Sequence, residues 1–112
     1  MNYLVKSIKW TKNDGVETWW GPDENGYTTR IYEAGIYNEE QAQSVLNRAG
    51  EKVVKLFPID QKIINKCLKQ IHAIAIGIEK DRDRSLSYAE ECDKRLENMK
   101  KIYDEWPSKV AE

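Results

Sequence analysis

Between Asp60 and Trp106 the chain contains no proline, and its apolar residues recur at helical spacing. Ile64, Cys67, Leu68, Ile71, Ile74, Ala75 and Ile78 form a broad stripe, with Ile63 at one edge and Ile76 well off it. A helix this apolar over a wide arc is normally covered on two sides. Further on, Ala89, Cys92, Leu96, Met99, Tyr103 and Trp106 alternate steps of three and four, the seam of a helix packed on a partner helix. Between the two patterns lies the charged run 79–84, followed by Ser87 and Glu90 at capping-box spacing. Two readings fit: a helical hairpin with the charged run as its solvated joint, or one helix from about 60 to 106. Pro107 should end the pattern and leave 107–112 as a frayed tail.

The first half has another texture. Residues 2–11 are rich in β-branched and aromatic types and read as a strand. Asn13-Asp14-Gly15 then supplies a hairpin turn, because these residues tolerate positive φ. Residues 16–20 return as a second strand and 27–32 as a third, giving a three-stranded antiparallel meander. Asn38 with Gln41 has the spacing of a capping box, and Ala42, Val45, Leu46 and Ala49 line one face of a short helix that Gly50 stops. Residues 52–57 read as a fourth strand bounded by Pro58, and Asp60 can cap the next helix. The expected fold is α+β in a single domain, 1–112, with sheet order open. Residues 1–59 make the sheet and short helix, and residues 60–106 the long helical part.

Composition removes several function classes. The chain has 112 residues, with 18 Lys and Arg against 19 Asp and Glu. A surface that tracks a phosphate backbone is normally strongly basic, so nucleic acid is not the expected partner. Lys6, Lys9 and Lys12 form a local set that also suits a sheet edge guarded against pairing. No apolar run approaches the roughly 20 residues of a membrane span. The first residues lack the apolar core of a signal peptide, and cytoplasmic location is the expectation.

Nothing marks an enzyme. The phosphate-loop, dinucleotide, zinc-protease and nucleophile-elbow motifs are absent from the sequence. The single histidine, His72, reads as structural rather than as a general base. Cys67 and Cys92 are too few for a Cys/His zinc site and read as small buried hydrophobes, with a disulfide between packed helices as the alternative. No metal and no cofactor is expected.

The long helices carry more apolar surface than the small sheet can obviously cover. A homo-oligomer, dimer or higher, is therefore expected, with Ile76, Leu96, Met99, Tyr103 and Trp106 at the interface. The alternative is that the hairpin folds back on its own sheet.

The N-terminal third is the informative region for binding. Seven of the eleven aromatic residues lie within the first 37 positions. Trp19 and Trp20 are adjacent on a strand and point to opposite faces, so a one-sided core takes only one of them. Arg30 shares a strand face with Thr28 and Tyr32, and arginine beside tyrosine can stack on a base and pair with a phosphate. Trp19, Trp20, Tyr27, Thr28, Arg30, Tyr32 and Tyr37 are the candidate ligand-binding residues. The competing reading is an aromatic-rich core with one surface tryptophan.

Trp20-Gly21-Pro22, Gly26-Tyr27-Thr28, Glu33-Ala34-Gly35-Ile36-Tyr37 and Glu39-Glu40-Gln41-Ala42, followed by the strand Val53 to Pro58, make up a pattern. It resembles small phage and prophage accessory proteins with the order W-x-P, G-Y-T, E-A-G-x-Y, E-E-x-A, over about residues 3–60. The resemblance implies a counter-defence role in the host bacterial cytoplasm. In that setting the anti-Thoeris and anti-CBASS sponges sequester nucleotide immune signals between protomers, and anti-CRISPR proteins block a defence enzyme by contact. The leading expectation is a non-enzymatic protein that sequesters a small nucleotide signal, such as a cyclic nucleotide. The alternative is a protein-directed inhibitor or adaptor that blocks a host defence protein through its aromatic surface.

Overall fold

The computed structural model describes residues 1–84 and 89–110. Its centre is strand β1 (Asn2–Ser7), which pairs antiparallel on one side with β5 (Val54–Pro58) in the register Val5 to Leu56. The other side of β1 is shared by β2 (Thr18–Trp20), opposite Lys6 and Ser7, and β4 (Tyr37–Asn38), opposite Asn2 and Tyr3. Strand β3 (Tyr27–Thr28) adds to β2. The expected meander β1–β2–β3 is present.

Its first connection differs from expectation. The strand ends at Ser7, and residues Ile8–Asp14 form helix α1 in place of a strand to 11 and a hairpin turn. Ser7 Oγ accepts the Trp10 N–H at 3.2 Å and so caps the helix. Gly15, at φ 70°, closes it by donating to the Thr11 carbonyl at 3.0 Å. The tolerance for positive φ that suits Gly15 to a turn suits it equally to a helix C-terminus. The third strand is also shorter than 27–32. Arg30 N–H turns back onto Thr28 Oγ1 at 3.1 Å, and Ile31–Glu33 wind into a 3₁₀ turn. Pro58 belongs to β5 at its very end, a place where its missing donor costs little.

The sheet is covered on both faces. Alternation along β1 sends Leu4 into one core and Val5 into the other, both fully buried. Helix α2 (Glu39–Ala49) covers the Val5 face with Ala42 and Val45 against Tyr37 and Val54. Its N-terminus has the expected capping box, Asn38 with Gln41. The Leu4 face, with Trp19, packs on Ile63, Cys67 and Ile71 of the hairpin. Adjacent Trp19 and Trp20 therefore each serve a core, and the premise of a one-sided core does not hold.

The C-terminal half is a helical hairpin of α3 (Gln61–Arg84) and α4 (Ala89–Val110) packed along each other. Asp60 Oδ1 accepts the Ile63 N–H at 3.1 Å, as a cap should. The charged run is not the joint, because α3 continues through it to Arg84. The joint and the Ser87–Glu90 spacing involve residues outside those described. Pro107 does not stop α4: the helix runs on to Val110, and Trp106 and Val110 are both buried. An interior proline costs about 3 kcal/mol, comparable to what burying these two side chains returns. Asn2 Nδ2 donates to the Val110 carbonyl at 3.3 Å, so this end is docked on β1 and not a free tail. No helix among the described residues is long and apolar enough to cross a membrane.

Cys67 and Cys92 are both free and buried. In an antiparallel hairpin they sit at different heights, roughly 20 Å apart along the axis at 1.5 Å per residue, which excludes the disulfide. Burial pushes the Cys67 thiol up to about 12, so it stays an unreactive thiol.

Candidate functional site

The motif-bearing segment 20–37 is tied to itself. Gly35 N–H donates to the Trp20 carbonyl at 2.9 Å, and a Cβ on Gly35 would stand 2.6 Å from the Gly21 carbonyl oxygen. Tyr37 is buried with its hydroxyl donating to that same Gly21 oxygen at 2.5 Å and accepting the Glu24 N–H at 3.0 Å. Burial and the nearby Glu24 and Asp23 carboxylates raise the Tyr37 pKa, although the Glu24 N–H opposes them. Asp23 and Glu24 both hold positive φ, and Arg48 of α2 forms an ion pair with Glu24. Gly21 of the W-x-P pattern and Gly35 and Tyr37 of the E-A-G-x-Y pattern thus build a locked loop, and a cavity of about 400 Å³ lies between this loop and α2. Helix α3 clamps the next stretch: Gln70 accepts from Ile31 N–H at 2.7 Å and donates to the Thr29 carbonyl at 2.6 Å.

The seven candidate ligand residues do not meet in one pocket. Trp19 is 1% exposed, with its ring edge-on to Phe57 at 5.4 Å between centroids. Tyr37 is buried as described. Tyr32 is half-buried against the hairpin, and burial, only partly countered by Arg30, raises its pKa. Arg30 is exposed but bound to Glu33 at 3.5 Å. Tyr27, 54% exposed, and half-buried Thr28 share a shallow surface with Arg30, and Asp14 and Glu33 line it too.

What the structure does assemble is a row of three rings. Half-buried Trp20 faces Tyr27 edge-on at 6.2 Å, and Tyr27 lies 5.9 Å from Trp10, which is 37% exposed. Lys9 Nζ sits 5.4 Å from the Trp10 ring centre. The row leads from the α2-side core out onto the surface. Trp10 was not among the site residues that the sequence pointed to. Reading 2–11 as one strand hid it; the signal was Ser7 three residues earlier, which caps α1 and turns Trp10 outward. Neither protein-family models, nor curated proteins, nor solved structures match this chain.

Among the described residues no group of three or more His, Cys, Asp and Glu side chains is placed to hold a metal ion. His72 is exposed rather than part of the core, and lines a groove between α3 and α4. Of the five expected interface residues, Trp106 and Met99 are buried in the chain's own core and Leu96 is half-buried. Ile76 and Tyr103 stay exposed.

Proposed function

We propose that this chain is a non-enzymatic binding protein that docks on a partner protein through the Trp10–Tyr27 row. In the phage setting that the resemblance implies, it is an inhibitor or adaptor directed at a host defence protein. It works in the bacterial cytoplasm as a homo-oligomer. One observation carries the reading: two large aromatic rings are left in water side by side, while Trp19 and Tyr37 are consumed by the cores. Tryptophan and tyrosine are the residues that most often anchor protein interfaces. Sequestration of a nucleotide is supported less well. The surface beside Tyr27 carries Asp14 and Glu33, which repel phosphate, and Arg30 is already engaged by Glu33.

The test compares the wild-type chain with a Trp10→Ala/Tyr27→Ala variant as bait in extract of the host cell. The expected result is a specific protein held by the wild type and lost by the variant, with both baits equally folded by circular dichroism. In parallel, cyclic dinucleotides and cyclic ADP-ribose analogues should leave the melting temperature unchanged. A nucleotide-induced rise that Arg30→Ala abolishes would overturn the protein-directed reading in favour of sequestration.

A further inference from the structure

The hairpin turns one apolar groove to solvent, of about 320 Å³, floored by Ala75, Leu96 and Met99. Both large hydrophobic residues left exposed among the hairpin's described residues border it. Tyr103, 43% exposed, lines it, and Ile76, 39% exposed, follows the lining residue His72 by one helical turn. The walls carry opposite charges, Glu79 on α3 and Lys100 on α4. Neither makes an ion pair among the described residues.

We propose that this groove is a two-fold interface between copies of the chain, in which two hairpins close a four-helix bundle. With the two-fold axis along the bundle, α3 of each copy lies against α4 of the other, and the acidic wall of each faces the basic wall of the other. A single foreign helix carrying one sign of charge would match one wall and oppose the other. Face-to-face packing also covers the floor, which a two-helix layer leaves open, in the manner of antiparallel bundles. The interface deepens the homo-oligomer part of the reading above and is independent of the Trp10–Tyr27 row.

Light scattering on the full chain tests it. The wild type is expected at twice the 13.1 kDa chain mass. Tyr103→Glu and Ile76→Glu should each return it to monomer mass with unchanged helical circular dichroism; both side chains are exposed, so folding is not at stake. Glu79→Lys and Lys100→Glu should each weaken dimerisation about tenfold, equivalent to about 1.4 kcal/mol. The double exchange Glu79→Lys/Lys100→Glu should restore it. A monomeric wild type, or a dimer indifferent to Tyr103→Glu, overturns the interface. A double exchange no tighter than the single variants overturns the opposed-wall arrangement. Capture of a partner protein by the Tyr103→Glu monomer separates the two readings, because it sustains the aromatic row whatever the fate of the groove.

Discussion

Trp19 and Trp20 show how far single residues can be read before folding. Their opposition across a strand is legible from alternation alone. That both faces of the sheet are cores is not, because it depends on α2 and the hairpin arriving from distant parts of the chain. Stability should separate the aromatic residues sharply. Trp19→Ala empties a fully buried site and should cost about 3–5 kcal/mol in chemical denaturation. Tyr27→Ala, on the surface but in ring contact with Trp20 and Trp10, should cost only about 0.5–1.5 kcal/mol. Equal losses at the two positions would contradict the division between core and binding surface. A similar contrast applies to the motif glycines. Gly35 has a backbone carbonyl where a Cβ would go, so Gly35→Ala must push Gly21 and break the loop that Tyr37 holds. It should lower the unfolding free energy measured by urea denaturation by about 1–3 kcal/mol, the cost of leaving the Tyr37 hydroxyl unpaired.

At the scale of elements, caps were more legible than the segments they bound. Asn38 with Gln41 and Asp60 act as caps where their spacing put them, because a cap is a local contact among residues three apart. Ser7 and Gly15 suit two uses, helix cap or strand end with turn, and the contacts of α1 with β1, β2 and β5 at the strand ends decide between them. Pro107 erred the other way: a strong local stop was overridden by burial of Trp106 and Val110. Where no tertiary contact competes, propensity should act at face value. Gly77 lies inside α3 with open space where a Cβ would stand. Gly77→Ala should therefore stabilise the protein by about 0.5–1 kcal/mol, through lower chain entropy in the unfolded state. Thermal denaturation would measure this, and a drop in melting temperature would contradict the open space at this position.

Across the whole molecule, helical period could not distinguish one long helix from a hairpin, since both use the same stripes. The packing of α3 on α4, and of both on the Leu4 face, selects the hairpin. The joint between sheet and hairpin contains a small charge network. Glu17, just before β2, is bound by Lys6 of β1 at 3.2 Å and by Lys66 of α3. Burial raises its pKa, but the hydrogen bonds and charges of Lys66 and Lys6 outweigh that and hold the carboxyl below its usual 4.5. A carboxylate whose folded pKa is depressed stabilises the fold above its unfolded pKa, and this contribution is lost as pH falls through the folded value. The wild type should thus exceed Glu17→Gln in stability at pH 7, and the gap should close on acidification below the ordinary carboxylate range. Because the Glu17 side chain is 33% exposed, water and salt screen the network, and the gap should also shrink in about 1 M salt, where the screening length is near 3 Å. Urea denaturation of both proteins across pH, at low and high salt, measures this. A gap independent of pH would mean that Glu17 acts by packing alone, and the hairpin would then be held to the sheet by its apolar face without help from charge.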